Sequence, residues 1–294
     1  FLANMDVINF VEWARVILPV INVNLNITRH GTGKINGVGL GPGVVGHFQG
    51  LDQVVNAYQW MGSWRGLNGV MLSCDWYTTR NSLCELGSWL RNTIKTGVED
   101  EIRACIGEVL VWGGDRNKKV GATPFFKKLP DIHEYLGKVQ TAFTLAHADT
   151  NQLNGVGEMN SMITKVHALA SEDGLPIYDS RVAGAIGCLV EIYRREMKPT
   201  WDELPSELTF KAVDNADRRR VTGLLDNTAD QSIEAVIDPG CITRSRSQNS
   251  IARRAQEWSS SKIRLGWLIE SILDGNDSLF KPDTLFDHTP QAKL

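Results

Sequence analysis

Cysteine is scarce in this chain: Cys74, Cys84, Cys105, Cys188 and Cys241 are scattered over 294 positions and odd in number. None belongs to a C-x-x-C pair or stands near a histidine cluster, which argues against a disulfide framework and against structural zinc. Long apolar runs are also missing. No stretch approaches the roughly 20 residues of a membrane helix, and Asp6, Glu12 and Arg15 break up the N-terminal region where a signal peptide would need an apolar core. Both absences lead to the expectation of a cytoplasmic protein with no membrane contact. The net charge is −3, and that sum alone counts against nucleic-acid binding. The chain lacks the G-x-x-x-x-G-K-[ST] order of a P-loop, and no D…E-x-K pattern nominates a metal-dependent nuclease. No cofactor, no metal, no obligate protein partner and no internal repeat are expected.

With 42% hydrophobic and 22% charged residues, the composition is that of a globular protein large enough for two or three subdomains. Helical patterns dominate. Met5 to Leu18 reads as a helix stopped by Pro19, and the four residues before Met5 are set aside. Leu51 to Trp64 and Ser82 to Lys95 repeat apolar residues at three and four, and Val98 to Val111 continues the pattern up to Gly113-Gly114. Trp112, at the end of that run, reads as core. Between Ile21 and Phe48 the chain turns strand-like in VNLNIT and then glycine-rich, with Arg29, His30 and Lys34 as the loop's only candidate phosphate contacts. A long amphipathic helix is expected from Ile251 to Ile272, and a surface tail after Asp274. The expectation is a mainly α protein in three parts: an N-terminal helical region with the glycine-rich loop (1–97), a central core (98–200), and a C-terminal helical region with a basic segment (201–294).

The charge distribution qualifies the acidic sum. From Cys241 to Arg264, the cations Arg244, Arg246, Arg253, Arg254, Lys262 and Arg264 face the single acid Glu257. Arg116, Lys118, Lys119, Lys127 and Lys128 form a second group, and Arg218, Arg219 and Arg220 a third. Each alone reads as solvated surface. Together they suit a basic groove on an otherwise acidic surface, with double-stranded DNA as its partner.

The most informative stretch runs from Leu153 to Gly187. Gly155 and Gly157 permit a tight turn with positive φ, so that backbone N–H groups can approach a phosphate closely. The turn feeds a helical stripe of Met159, Met162, Ile163, Val166, Leu169 and Ala170, whose N-terminal dipole favours an anion. Lys165 lies at the edge of that stripe, one turn from Ser161. Its residue type suggests a snorkelling surface lysine, and its place suggests a second candidate site residue. His167 is offset from the stripe and reads as polar surface. After a break at Ser171 to Pro176, Asp179 precedes a second helical pattern, where a carboxylate is a natural cap and is favoured by the helix dipole.

This L-x-G-V-G hairpin followed by an aspartate at the next helix start resembles the helix-hairpin-helix DNA glycosylase superfamily. Leu153, Gly155, Val156 and Gly157 match the hairpin, and Asp179, Arg181 and Val182 match the aspartate-led segment. Asn154 replaces the usual proline. The resemblance implies a helix-hairpin-helix glycosylase fold with an N-terminal extension. It implies hairpin amides, at Asn154, Gly155, Val156 and Gly157, on a DNA phosphate, and Asp179 beside an extruded base. Lys118, Lys119, Arg181, Arg253 and Arg254 are the expected further DNA contacts. Bifunctional members carry a Schiff-base lysine where this chain has Met159, which implies a monofunctional enzyme. The iron–sulfur cysteines of some relatives have no counterpart here. The flanking tryptophans and the glycine-rich loop resemble a divergent 8-oxoguanine-glycosylase-fold branch found among bacterial phage-defence genes, whose members attack modified bases.

The chemistry supports the residue types independently. Breaking an N-glycosidic bond builds positive charge on the sugar, which a nearby carboxylate stabilises. A base inside a duplex is unreachable until the nucleotide is extruded. The expected function is a DNA glycosylase acting on a modified base, such as glucosylated hydroxymethylcytosine in phage DNA. A repair glycosylase for oxidised or alkylated bases, a non-catalytic DNA-binding module and a nuclease are the alternatives.

Overall fold

The computed structural model describes residues 1–27, 34–35, 38–39, 44–115, 119–145, 153, 156–172, 175–211, 242–243 and 251–273. In chain order the elements are α1 (Met5–Ile17), β1 (Asn22–Ile27), β2 (Lys34–Ile35), β3 (Val38–Gly39), β4 (Val44–Gln49), α2 (Leu51–Asn56), β5 (Gln59–Gly66) and β6 (Gly69–Asp75). There follow α3 (Trp76–Thr96), α4 (Glu99–Trp112), α5 (Ala122–Lys128), α6 (Ile132–Ala142), α7 (Ser161–Ala170), α8 (Ser180–Met197), β7 (Phe210–Lys211), β8 (Ile242–Thr243) and α9 (Ile251–Leu273). The protein is mainly α. Every sheet among the described residues has two strands: β1–β4, β2–β3 and β5–β6 are antiparallel, and β7–β8 is parallel. No described helix is long and apolar enough to cross a membrane.

Local chemistry explains where the helices begin. Asn4 caps α1 by accepting from Asp6 N at 2.8 Å, and Phe1 packs its ring 5.7 Å from Trp267. The residues before Met5, set aside above, are therefore part of the fold. Asp75 and Thr78 form a reciprocal capping box at the start of α3, with Thr78 N donating to Asp75 Oδ1 at 2.7 Å and Asp75 N to Thr78 Oγ1 at 3.2 Å. No side chain caps α4, but Glu99, Asp100 and Glu101 place negative charge on its first turn, where the helix dipole favours it.

The core lies where α3, α4 and α7 pack together. Leu86, Leu90, Ile102, Ile106, Val109, Ile163, Val166 and Leu169 are all buried there. Each contributes on the order of 1.5–3 kcal/mol of transfer free energy. A second layer packs α1 against α8 and α9. In it Tyr193 sits edge-on to Phe10 at 5.5 Å and tilted to Trp13 at 5.4 Å.

The helix expected over Leu51–Trp64 is not formed. Only α2 is helical, and the rest enters the β5–β6 hairpin, whose register runs from Gly62 opposite Ser73 to Gly66 opposite Gly69. The competing signal is a period of two: Trp60, Gly62 and Trp64 alternate along one strand ahead of a Gly-Leu-Asn-Gly turn. Trp64 fixes the hairpin to α3 through an indole N–H donated to Ser82 Oγ at 2.7 Å and a stack on Trp89 at 6.0 Å. Val23 to Ile27 of the strand-like VNLNIT segment do fall in β1, paired with β4, whereas Thr28 and most of the glycine-rich loop, Arg29 and His30 included, lie outside the described residues.

Candidate active site

The hairpin comes first in sequence. Leu153 and Val156 are buried, and Val156 N donates to Leu153 O at 3.0 Å. Asn154 and Gly155 lie outside the described residues. Gly157 is exposed with open space around it and is absent from the positive-φ glycines, so it supplies room, not the left-handed turn expected of it. The helix begins at Ser161, later than the apolar stripe suggested. Asn160 caps it, accepting from Met162 N at 2.9 Å and Ile163 N at 3.0 Å. The two amides at the helix N-terminus, where the dipole favours an anion, are thereby already satisfied, and of the hairpin amides expected on a phosphate Val156 N is taken by Leu153 O. Met159, in the lysine's expected place, is buried in the core.

Asp179 stands at the mouth of α8 in an extended conformation that presents its carboxylate to the first turn. Oδ1 accepts from Arg181 N at 2.8 Å and Val182 N at 3.1 Å. Oδ2 points the other way, 3.9 Å from Lys165 Nζ. The two oxygens divide their work: one holds the helix, and the other faces an ammonium.

Lys165 is not the surface lysine its residue type suggested. Its side chain is 7% exposed, and Nζ also donates to Ser161 O at 3.0 Å. Space for it comes from Gly113, just past the end of α4. A Cβ there would lie 2.8 Å from Lys165 Cδ and 3.2 Å from Met162 Sδ.

Two aromatic residues from β5 and its approach stand near the Asp179–Arg181 turn, and sequence reading missed both. Trp60 is half-buried, with the Arg181 guanidinium 5.5 Å above its ring and the buried Trp112 6.4 Å from it. Trp112 is core, as expected. The Trp60 and Trp112 indole nitrogens are buried without a hydrogen-bond partner. Tyr58 is close enough to Asp179 and Arg181 to feel both charges. Burial is the main cause that pushes its phenol up to about 12, so it stays protonated. The signal for these residues was the strand period at Tyr58, Trp60 and Gly62, hidden under an apparent helical repeat.

α7 also carries a second, fully buried polar group. His167, expected on the surface, is 1% exposed and shares a 2.9 Å hydrogen bond with Tyr135 Oη. Burial, reinforced by the positive charge of Lys262, holds its imidazole well below the usual histidine range. Lys262 itself, counted above with a basic groove, has no exposed surface. Arg264 from the same group donates to the carbonyls of Ser206, Glu207 and Thr209 and lies over Phe210, holding the chain ahead of β7. These two cations are structural, which shrinks the C-terminal basic surface.

The other expected DNA contacts are only partly gathered at the site. Lys119 is exposed on a loop whose Gly121 runs past Asn160 at the start of α7. Lys118 lies outside the described residues, as do Arg116, Arg218, Arg219, Arg220, Arg244 and Arg246. Arg253 pairs with Glu257 at 3.8 Å, and Arg254 lies over Trp258 at 5.6 Å. Both arginines are on the opening turns of α9, about 12 Å along the axis from Lys262. Among the described residues, Arg181 is the one expected contact that sits directly beside Asp179.

A carboxylate with one oxygen facing an ammonium, followed two residues on by a guanidinium that lies over an indole ring, suits a ligand whose reaction develops positive charge. No protein-family model, curated protein or solved structure matches the chain.

Proposed function

We propose that the protein is a monofunctional DNA glycosylase of the helix-hairpin-helix type, hydrolysing the N-glycosidic bond of a base turned out of the duplex and leaving an abasic site. The observation that carries this reading is the placement of Asp179 Oδ2, 3.9 Å from Lys165 Nζ, two residues from an Arg181 whose guanidinium lies over Trp60. In the mechanism, Oδ2 stabilises the cationic sugar as the bond to the base breaks, and a water adds its oxygen to the anomeric carbon while its proton goes to the departing base. Lys165 holds the carboxylate in place. Trp60 offers its ring to the extruded base, with Arg181 at the rim for the strand. The turn at Leu153–Val156 and the loop carrying Lys119 border the start of α7, where they can hold the backbone while the nucleotide is out.

The substrate in this reading is a modified or damaged base. A phage base such as glucosylated hydroxymethylcytosine gives a defence role, and an oxidised or alkylated base gives a repair role. The test uses wild-type protein with EDTA present. Its substrates are phage DNAs with unmodified, hydroxymethylated or glucosylated cytosine, and oligonucleotides carrying 8-oxoguanine, uracil or alkylated bases. Free base is scored by mass spectrometry and abasic sites by alkali. Release from one substrate supports the reading and names the target.

One observation favours a second reading: Asp179 Oδ1 is fully engaged as a helix cap. In a non-catalytic DNA-binding module that cap is the whole purpose of the residue. Such a module binds duplex in a salt-dependent way and releases no base from any of these DNAs.

A further inference from the structure

Lys262 is the most anomalous charge in the described chain. A lysine is almost never fully buried unless paired, yet Lys262 is fully buried and its Nζ donates to backbone carbonyls. One is Pro176 O, and the other, at 3.4 Å, is Thr164 O. These carbonyls belong to the two segments that carry the site. Thr164 immediately precedes Lys165 on α7, and Pro176 stands three residues before Asp179.

The rest of that part of α9 reinforces the link. At Gly266, one turn on, an added Cβ would lie 2.7 Å from Leu145 Cδ2 and 3.3 Å from Pro176 Cδ, so the helix rides directly on the Pro176 segment. Ser261 Oγ accepts from Lys211 N at 2.9 Å, and Lys211 O accepts from the hydroxyl of Tyr178, the neighbour of Asp179. Burial, together with the charge of nearby Lys165, holds the Lys262 ammonium well below the ordinary lysine range. Keeping a lysine there is costly for stability, and the place in a basic groove expected for it from sequence is closed to it.

We propose that Lys262 is a positioning residue: by bridging the carbonyls of Thr164 and Pro176, its Nζ sets the separation of Lys165 and Asp179. The proposal rests on the reading of Asp179 as the carboxylate of a glycosylase. Because the bonds go to backbone atoms, Lys262 fixes both segments whatever their side chains do. A displacement of about 1 Å in a reacting pair costs on the order of 100-fold in rate.

Lys262→Met keeps the apolar stem and removes the donors, whereas Lys262→Gln keeps two N–H donors on a neutral head. Three quantities are measured on each: the single-turnover excision rate, the affinity for an abasic-site duplex, and amide hydrogen exchange across 161–170 and 175–182. The expected result for Lys262→Met is a folded protein that binds abasic duplex within about threefold of wild type and excises roughly 10–100-fold more slowly. Its faster exchange is confined to those two segments, and Lys262→Gln recovers part of the rate. An unchanged rate in Lys262→Met overturns the proposal. So does failure of both variants to fold, or a loss that tracks a general rise in exchange, since core packing then accounts for the residue. If the wild type releases no base from any DNA, the glycosylase reading fails separately. The exchange data then decide the bridge alone: localised loosening supports it, and none refutes it.

Discussion

Gly113→Ala separates the placement of Lys165 from the stability of the fold. Gly113 has φ −67° and ψ −12°, a conformation alanine adopts freely, and glycine costs up to about 1 kcal/mol relative to alanine in helical backbone. Against that gain stands the new Cβ, 2.8 Å from Lys165 Cδ, 3.2 Å from Met162 Sδ and 3.2 Å from the backbone oxygen of Val109. The two side chains are flexible and can give way, and the carbonyl need yield only a few tenths of an ångström, so the net change should stay within about 1 kcal/mol, a shift of a few degrees in Tm. The lysine, however, must move. Coulomb's law at an effective dielectric of about 20 gives roughly 4 kcal/mol for the pair at its 3.9 Å separation and roughly 3 kcal/mol at about 5 Å. A loss of about 1 kcal/mol in the force that orients Asp179 corresponds to a roughly fivefold slower chemical step. Thermal unfolding and single-turnover base release on the same preparation measure the two effects. A Tm within a few degrees of wild type with unchanged excision would refute the role given to Lys165.

Three further outcomes follow from the same geometry. Trp60→Leu should slow excision by roughly 10–100-fold, the value of about 1–3 kcal/mol for stacking on one base, while affinity for an abasic duplex, which offers no base, stays unchanged. Borohydride added during turnover should trap no protein–DNA adduct, since Met159 replaces the expected amine and Lys165 Nζ already donates to Ser161 O and faces Asp179; an adduct mapped to Lys165 would contradict a monofunctional enzyme. His167, whose folded pKa is depressed, contributes stability that is complete above its unfolded pKa of about 6.5 and is lost as pH falls toward the folded value. His167→Gln should therefore flatten the difference in stability between pH 7 and pH 5. The slope it removes is at most about 1.4 kcal/mol per pH unit, measured by urea unfolding, and a parallel pH profile would show that His167 is not buried neutral.

Much of the helical framework was legible because its signals are local. The apolar periods of α1, α4 and α9, the stop at Pro19 and the cap at Asp179 are all written in neighbouring residues. The failures share a physical cause, which is that side-chain environment is set by distant elements. Lys165 sits on the edge of its stripe, and only the opening at Gly113 tells the reader that it turns inward. His167 looks polar and exposed until Tyr135 on α6 supplies its partner. Lys262 and Arg264 look like groove cations because no local pattern reveals the carbonyls waiting 50 or more residues away. The hairpin at β5–β6 was misread because its apolar residues satisfy a helical spacing and a strand spacing at once, and the Gly-Leu-Asn-Gly turn breaks the tie.

The central claim is that Asp179 does chemistry as well as capping. Comparison of base release by wild type, Asp179→Asn and Asp179→Ala on the responsive DNA tests it most directly, because Asn retains a capping oxygen and Ala does not. Both variants should lose base release by orders of magnitude, with Asp179→Asn folded as well as wild type and Asp179→Ala weaker by about 1 kcal/mol. Full activity in Asp179→Asn would leave Asp179 a helix cap and move the catalytic role elsewhere.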